Sequence, residues 1–482
     1  MSISQSLSNA LSGLSAASRM AEVVSSNLSN ALTDGYGRRS VDLSSESVGG
    51  RGAGVRIDGI TRNVDRGILG DRRLADANLA GQQSLLTTLG RIETTVGAVG
   101  DGNGLSARMA SLEQSLASIA GDPSAEVRQN NVVNRLNGVT AALRDGAAGV
   151  RDLRQEAENS IASQIDTLNT SLIQIETLNR DIMNARNAGG DSSALLDQRQ
   201  VAIDKIASIV SVRELPRSNG TVALMTTSGQ MLIDGPASQF GFTPANYVTP
   251  DMTLASGGLQ GITLDGVLLP GMSGAGRLDG GTLSAAFTLR DDTLVGAQAG
   301  LDAVARDLID RFADPATDPT LAMGNAGLLT DAGAAFDPLN EVGLSGRIKV
   351  NAAVDPGQGG AAWRIRDGVN AVIPGLVGNG AQIDRWIDAL DTPRSLASGG
   401  AARSATGHVS SLVSNIGSQR LAAEEDVGFT TARWSSLRQE ELANGVDSDQ
   451  ELQMLMQIEQ AYAANAKVMQ TVQSMIQTLM EI

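Results

Sequence analysis

A single histidine, His408, is the first place to look for chemistry in this chain. It lies in "SATGHVSSL", with Ser404, Ser410 and Ser411 close by in sequence. A serine hydrolase needs an imidazole base beside a hydroxyl and a carboxylate. No nucleophile-elbow motif surrounds His408, so it reads as a structural or surface residue. With one His and no Cys, the usual nitrogen and sulfur ligand sets of zinc cannot form within one chain. Gly100-Asp101-Gly102-Asn103-Gly104 and Gly50-Arg51-Gly52-Ala53-Gly54 resemble fragments of phosphate loops, yet neither has the GxxxxGK[ST] form, and both read as turns. The stretch "DGNGLSARMASLE" fails as a calcium loop, with Ser106 where Gly is needed and Leu112 where Glu is needed. The acidic pairs Asp291-Asp292 and Glu424-Glu425 read as solvated faces. Arg38-Arg39 follows a turn and could cap helix carbonyls or meet a neighbouring subunit. No catalytic, cofactor-binding or metal-binding residue is assigned.

The elements that would have to position such residues point elsewhere. The chain has 482 residues, 41% hydrophobic but only 2% aromatic, which suits closely packed long helices more than a compact enzyme pocket. Its formal net charge of -16 disfavours nucleic acid and anionic lipid. No stretch approaches the ~18 apolar residues of a membrane span, and the first residues lack the basic and apolar regions of a secretory signal.

Two seams carry the strongest pattern. Ile3, Leu7, Ala10, Leu14, Ala17, Ala21, Val24, Leu28 and Ala31 alternate steps of four and three, as a heptad seam does. At the other end Leu455, Ile458, Tyr462, Asn465, Met469, Val472, Ile476 and Leu479 repeat the spacing, with Asn465 as the one polar member, a candidate for fixing register. Helix 1 is too poor in large side chains to be stable alone, so the two are expected to pair. Asp34-Gly35 and Gly37 are expected to stop it, and Asp447, Ser448 or Asp449 to cap the last helix.

Between the seams the expected fold is mainly α with inserted β, elongated and multi-domain. The expected segments are a terminal helix over 1–35 pairing with 446–482, and an extended, Gly-rich connector over 36–100 leading into helix. A long-helix bundle follows over 101–215, then a β-rich insert over 216–282. Helix returns over 283–314, a Gly-rich region with short strands covers 315–380, and helix returns again over 381–445. The stretch from Ala125 to about Arg186 reads as mostly helical, and within it Ala157, Ile161, Ile165, Leu168, Leu172, Ile175, Leu178 and Ile182 form one stripe on a long helix expected over 151–186. "TVALMTTSGQMLIDG" and "GITLDGVLLPG" read as hairpins, the second around Asp265-Gly266. This plan nests the β insert furthest from the termini.

The stretch "SSNLSNALTDGYGRR" resembles the N-terminal signature of the axial proteins of the bacterial flagellum, through Asn27, Leu28, Asn30, Thr33, Gly35, Tyr36 and Arg38. It departs at Ser26, Leu32 and Asp34. "QAYAANAKVMQTVQSMIQTL" is similar to the partner signature. "ALLDQRQVAIDKIASIVSV", "NGTVALMTTSGQMLIDG", "IAGDPSAEVRQNNVV" and "GGTLSAAFTLRDDTL" resemble the interior of the first of the two hook–filament junction members. The resemblance implies a non-enzymatic, self-assembling structural protein carried outside the cell by the flagellar export apparatus, without a cleaved signal. Its implied partners are further copies in a ring, the hook protein, a second junction protein and an export chaperone, with neither nucleic acid nor membrane insertion. It also implies termini that are disordered until subunits meet, with Tyr36 and Arg38 where inner and outer layers join. The assembly residues expected are Ile3, Leu7, Leu14, Val24, Leu28, Leu455, Ile458, Tyr462, Asn465, Val472, Ile476 and Leu479. A hook or distal rod subunit is the nearer alternative, and a secreted hydrolase or adhesin the distant one.

Overall fold

The computed structural model describes residues 3–48, 51–270, 274–396 and 400–481. Helix α1 (Ile3–Ser29) ends six residues before Gly35, so Ala31 lies outside it. The reason is local: the side chains of Ser29 and Asn30 donate to the carbonyls of Ser25 and Ser26 and close the last turn. The chain then turns through Gly35, whose φ of 77° is a left-handed conformation that favours glycine. Strands β1 (Arg38–Val48) and β2 (Arg51–Asn63) form an antiparallel hairpin with Arg38 opposite Asn63. The 49–59 stretch, expected as a loop or irregular hairpin, is mostly strand, and Gly49 and Gly50 lie outside the described residues. Asp65 caps α2 (Arg66–Val96) by accepting from the backbone of Gly67 and Ile68, and α3 (Leu105–Ala120) follows.

Helix α4 (Glu126–Asn187) is the spine. Its 62 residues, free of Pro, extend about 93 Å at 1.5 Å per residue. All eight members of the expected stripe are buried. Helix α5 (Ser193–Ala207) folds back on its end. Strand begins at Val212, ahead of the β-rich insert expected from 216. β3 (Val212–Pro216), β4 (Val222–Thr226) and β5 (Met231–Ile233) form one antiparallel sheet. β6 (Phe240–Gly241), β7 (Thr263–Leu264) and β8 (Val267–Leu268) form another, with Asp265 and Gly266 both at positive φ in the β7–β8 turn. Helix α6 (Gly281–Thr288) passes through a π turn over Leu289–Thr293 into α7 (Leu294–Ala313). The π turn holds Arg290, which is fully buried and reaches Glu158 of α4 at 2.6 Å.

The remaining elements are β9 (Leu329–Asp331) paired with β10 (Ile348–Val350), then α8 (Arg364–Asp367), α9 (Ala381–Asp391), α10 (Ala405–Ala443) and α11 (Ser448–Met480). α1 packs on α11 and α2 on α10, so the chain is nested as expected. The β insert, however, is not furthest from the termini. Two cores lie along α4. The stretch 132–157 packs with α3, α7, α9, α10 and residues 321–369. The stretch 161–175 packs with α5, α6 and the strands from β3 to β7. Because α5 returns α4 toward the hairpin base, the insert lies on the terminal side of the spine, and the Gly-rich 321–369 stretch lies on the other core. There Trp386 is buried edge-on against Phe312 at 5.4 Å and donates to the Ile365 carbonyl.

Glu158 and Arg290 are both fully buried and also bind Ala245 N and the Gln260 carbonyl. Removing one charge strands the other in the core, so Glu158→Gln is expected to lower unfolding free energy by about 3 kcal/mol. Urea titration followed by far-UV circular dichroism measures this; a loss under ~1 kcal/mol would show the pair to be dispensable.

Candidate functional site

The first helix is covered on two sides. Toward α11 it offers Ala17 and Val24, which close over Ile458 with Met20, Ala21 and Leu455 around them. Gly13 lets Asn465 lie against the α1 backbone: a Cβ at Gly13 would stand 2.7 Å from Asn465 Nδ2. Asn465 itself donates to the Ala461 carbonyl of its own helix. The other side of α1 holds the hairpin. Gln5 donates to the Gly52 carbonyl and Ser12 Oγ accepts from Val55 N. The alanines thus have a use the seam did not reveal, since small side chains permit close approach on both faces.

Among the expected assembly residues, Val24, Ile458 and Val472 are buried, and Ile3, Leu14, Leu455 and Asn465 are half-buried. Leu7, Leu28, Tyr462, Ile476 and Leu479 are exposed. Helix α11 buries only Glu451, Ile458 and Val472. Both terminal helices are formed and docked on each other within one chain. What stays open on the pair is a set of large apolar side chains, which on α11 also includes Leu452, Met454, Met456, Val468, Met475 and Met480, distributed around the helix.

The pair is locked by a polar joint where α1, the hairpin, α5 and α11 meet. Asn27 is 1% exposed and uses its whole amide. Its Oδ1 accepts from Tyr36 Oη at 2.9 Å and Arg39 N at 3.0 Å, and its Nδ2 donates to the Arg39 carbonyl at 2.8 Å and Glu451 Oε2 at 3.1 Å. Glu451, also 1% exposed, receives Arg38 Nε at 2.7 Å. It stands in the first turn of α11, where the helix dipole favours an anion, behind the cap formed by Asp447 accepting from Asp449 N and Gln450 N. On the other side Asp197 of α5 gathers Gly37 N at 3.0 Å, Arg62 Nε at 2.6 Å and Arg39 Nη2 at 2.7 Å. The Arg39 guanidinium lies 4.8 Å above the Tyr36 ring. Gly35 sits so close to α5 that a Cβ there would be 2.5 Å from Val201 Cγ2.

Of the signature residues, Asn27, Gly35, Tyr36 and Arg38 come together here. Asn30 and Thr33 do not; they bond to each other at 3.3 Å and stabilise the end of α1. Arg38 and Arg39 pair with Glu451 and Asp197, carboxylates in place of the helix carbonyls expected. Nothing in the sequence singles out Glu451, Asp197 or Arg62 as partners in this joint. The acidic first turn of α11 was a visible signal for Glu451, but nothing marks Asp197 as its counterpart. Of the early candidates for chemistry, His408 is buried and its Nε2 lies 2.8 Å from the Arg394 carbonyl, while Asp291 pairs with Arg290 and Glu424 with Arg420. Among the described residues no cluster of His, Asp and Glu could hold a metal, and no helix is long and apolar enough to cross a membrane.

With this geometry established, the likenesses to known proteins fall on the same parts of the chain. Residues 89–328 match the family model of the flagellar hook-associated protein FlgK helical domain. Residues 7–36 match that of the flagella basal body rod protein, and residues 443–482 that of the flagellar basal body rod FlgEFG protein C-terminal region. Flagellar hook-associated protein 1 of Escherichia coli K12 is 24% identical over 261 residues, 52% of this chain and 47% of that protein. The Salmonella typhimurium protein of the same name is 26% identical over the same shares, and that of Bacillus subtilis 23% over 47% of each chain. The chain spans about half the length of the curated relatives it matches. The flagellar hook junction protein FlgK from Burkholderia pseudomallei aligns with TM-score 0.45 and 20% identity over 55% of this chain and 47% of that one. The two rod-type ends, tied by the Asn27–Glu451 joint to an interior of hook-associated type, place this chain in the flagellar axial family, as a relative of hook-associated protein 1.

Proposed function

We propose that the protein is a structural subunit of the flagellar axis, joining hook to filament by self-assembly. The observation that carries this reading is the set of large apolar side chains left exposed on the docked α1–α11 pair, at the very ends that match rod proteins. Leu7, Leu11 and Leu28 on α1 and Tyr462, Ile476 and Leu479 on α11 are exposed. Burying the exposed part of each such side chain in a neighbour stabilises assembly by roughly 0.5–2 kcal/mol, repeated around a ring. The polar joint gives each subunit one fixed angle between the terminal pair and the bundle. The partners in this reading are further copies, the hook protein on one side and a second hook-associated protein on the other, after passage through the flagellar export apparatus with a chaperone. The interior favours the junction over a hook or distal rod subunit, whose family models match only the ends.

Expression in cells lacking their own junction protein tests the assignment. Regained filament attachment and swimming supports it, whereas lengthened hooks without filaments would indicate a hook subunit. Leu28→Asp and Ile476→Asp, both at exposed sites, are expected to leave monomer stability within ~0.5 kcal/mol while abolishing incorporation. Motile cells from both variants would rule out these side chains as the assembly surface. Glu451→Ala leaves Asn27 and Arg38 without their acceptor and is expected to weaken the joint by about 2–3 kcal/mol. Hydrogen exchange should then quicken in 3–29 and 448–480 but not in 126–187; unchanged exchange at both ends would show that the joint does not hold them.

A further inference from the structure

Beside the joint, a cavity of about 300 Å³ opens between β2, the first turns of α2 and α5, the end of α4, and β3. Five arginines line it, Arg62, Arg66, Arg73, Arg186 and Arg199, against one carboxylate, Glu214. This concentration of positive charge stands out in a chain of net charge -16. Arg62 is neutralised by Asp197, and Arg73 by Asp204 and Glu214. Arg66, Arg186 and Arg199 have no carboxylate within ion-pairing distance among the described residues. Arg199 is held instead by neutral acceptors, Asn179 Oδ1 at 2.9 Å and the Gly220 carbonyl at 2.8 Å.

We propose that this cavity is a binding site for a small oxyanion carrying two or more negative charges, a phosphate or a polycarboxylate. Arg73, 2% exposed, forms part of the wall, and its Nη2 is buried without any hydrogen-bond partner. Buried guanidinium donors are normally satisfied, so an empty one beside a cavity marks a missing acceptor. Arg199, 6% exposed, has its pKa pushed down to about 10, chiefly by burial; Glu214 opposes this, and Arg186, Arg62 and Arg66 add to it. A bound anion would relieve that repulsion. Exposed Arg66 and Arg186 form a rim able to close on the ligand in the forked manner guanidinium groups favour. The volume is at the small end for ligand sites, fitting a compact ion with some water. Since Arg62 belongs to both the cavity and the joint, an occupant would tie β2, α2, α4 and α5 together and stiffen the connection between terminal pair and bundle.

Titration calorimetry and thermal unfolding of the full chain in sodium phosphate, sodium citrate and sodium chloride at matched ionic strength test the site. The paired variant Arg66→Gln/Arg186→Gln removes only rim charges that make no ion pair. Phosphate or citrate is expected to raise the Tm of the unaltered chain above its value in chloride. The variant is expected to bind about tenfold or more weakly for the lost charged hydrogen bonds, and to be at least as stable in chloride because like charges have been removed. Response to phosphate alone, or to citrate alone, names the ligand class. An equal Tm rise in the variant, the signature of general anion exclusion from the surface, would overturn the proposal. So would the absence of any binding heat with both anions, or a variant less stable than the unaltered chain in chloride.

Discussion

A carboxylate taken out of water has to be met by charge and by hydrogen bonds, and Glu451 is met by both. Arg38 supplies the charge and Asn27 the amide proton, while the first turn of α11 adds its dipole. Neither end of the chain can leave without stranding the other's polar atoms. The thin apolar seam of Ala17, Val24 and Ile458 would hold the helices only loosely. The joint makes their relation specific: the Asn27 amide can face only one way, because reversing it would set donor against donor at Arg39 N, and acceptor against acceptor at the Arg39 carbonyl and Glu451.

From that joint the architecture runs outward along α4. One uninterrupted helix serves two cores, and the strands on its C-terminal half are bound to it by side chains reaching backbone: Asn179 to Val222 and Asn169 to Phe240. Such bonds register the insert against the spine without requiring extensive sheet. The buried Arg290–Glu158 pair does the same where the two cores meet, so rotation of the insert about α4 would break charge pairing as well as packing.

Helices were legible wherever one face is buried by long apolar residues at regular spacing, as the stripe from Ala157 to Ile182 was. Turns were legible where backbone conformation restricts residue choice: Asp265-Gly266 sits at positive φ as its type demands. The acidic cap of α11 could be narrowed to three residues, of which Asp447 serves. The polar partners were not legible. Arg38 and Glu451 lie 413 positions apart, and Arg39 and Asp197 lie 158 apart; an ion pair leaves no periodic trace in either neighbourhood. The end of α1 was misplaced because Ser29 and Asn30 close the helix with their own side chains, ahead of the glycine. The position of the β insert depended on the reversal from α4 into α5, which strand propensity cannot signal.

The exposed surface of α11 is rich in thioethers, with Met454, Met456, Met475 and Met480 all open to solvent. Unbranched and polarizable, methionine moulds itself to whatever shape it meets, so copies could seat against neighbours at slightly different tilts without a gap or clash. Under the proposed role, that tolerance would let one surface meet two different neighbours. It also leaves an unassembled subunit open to peroxide, since conversion to sulfoxide would turn its adhesive side polar before it ever found its place.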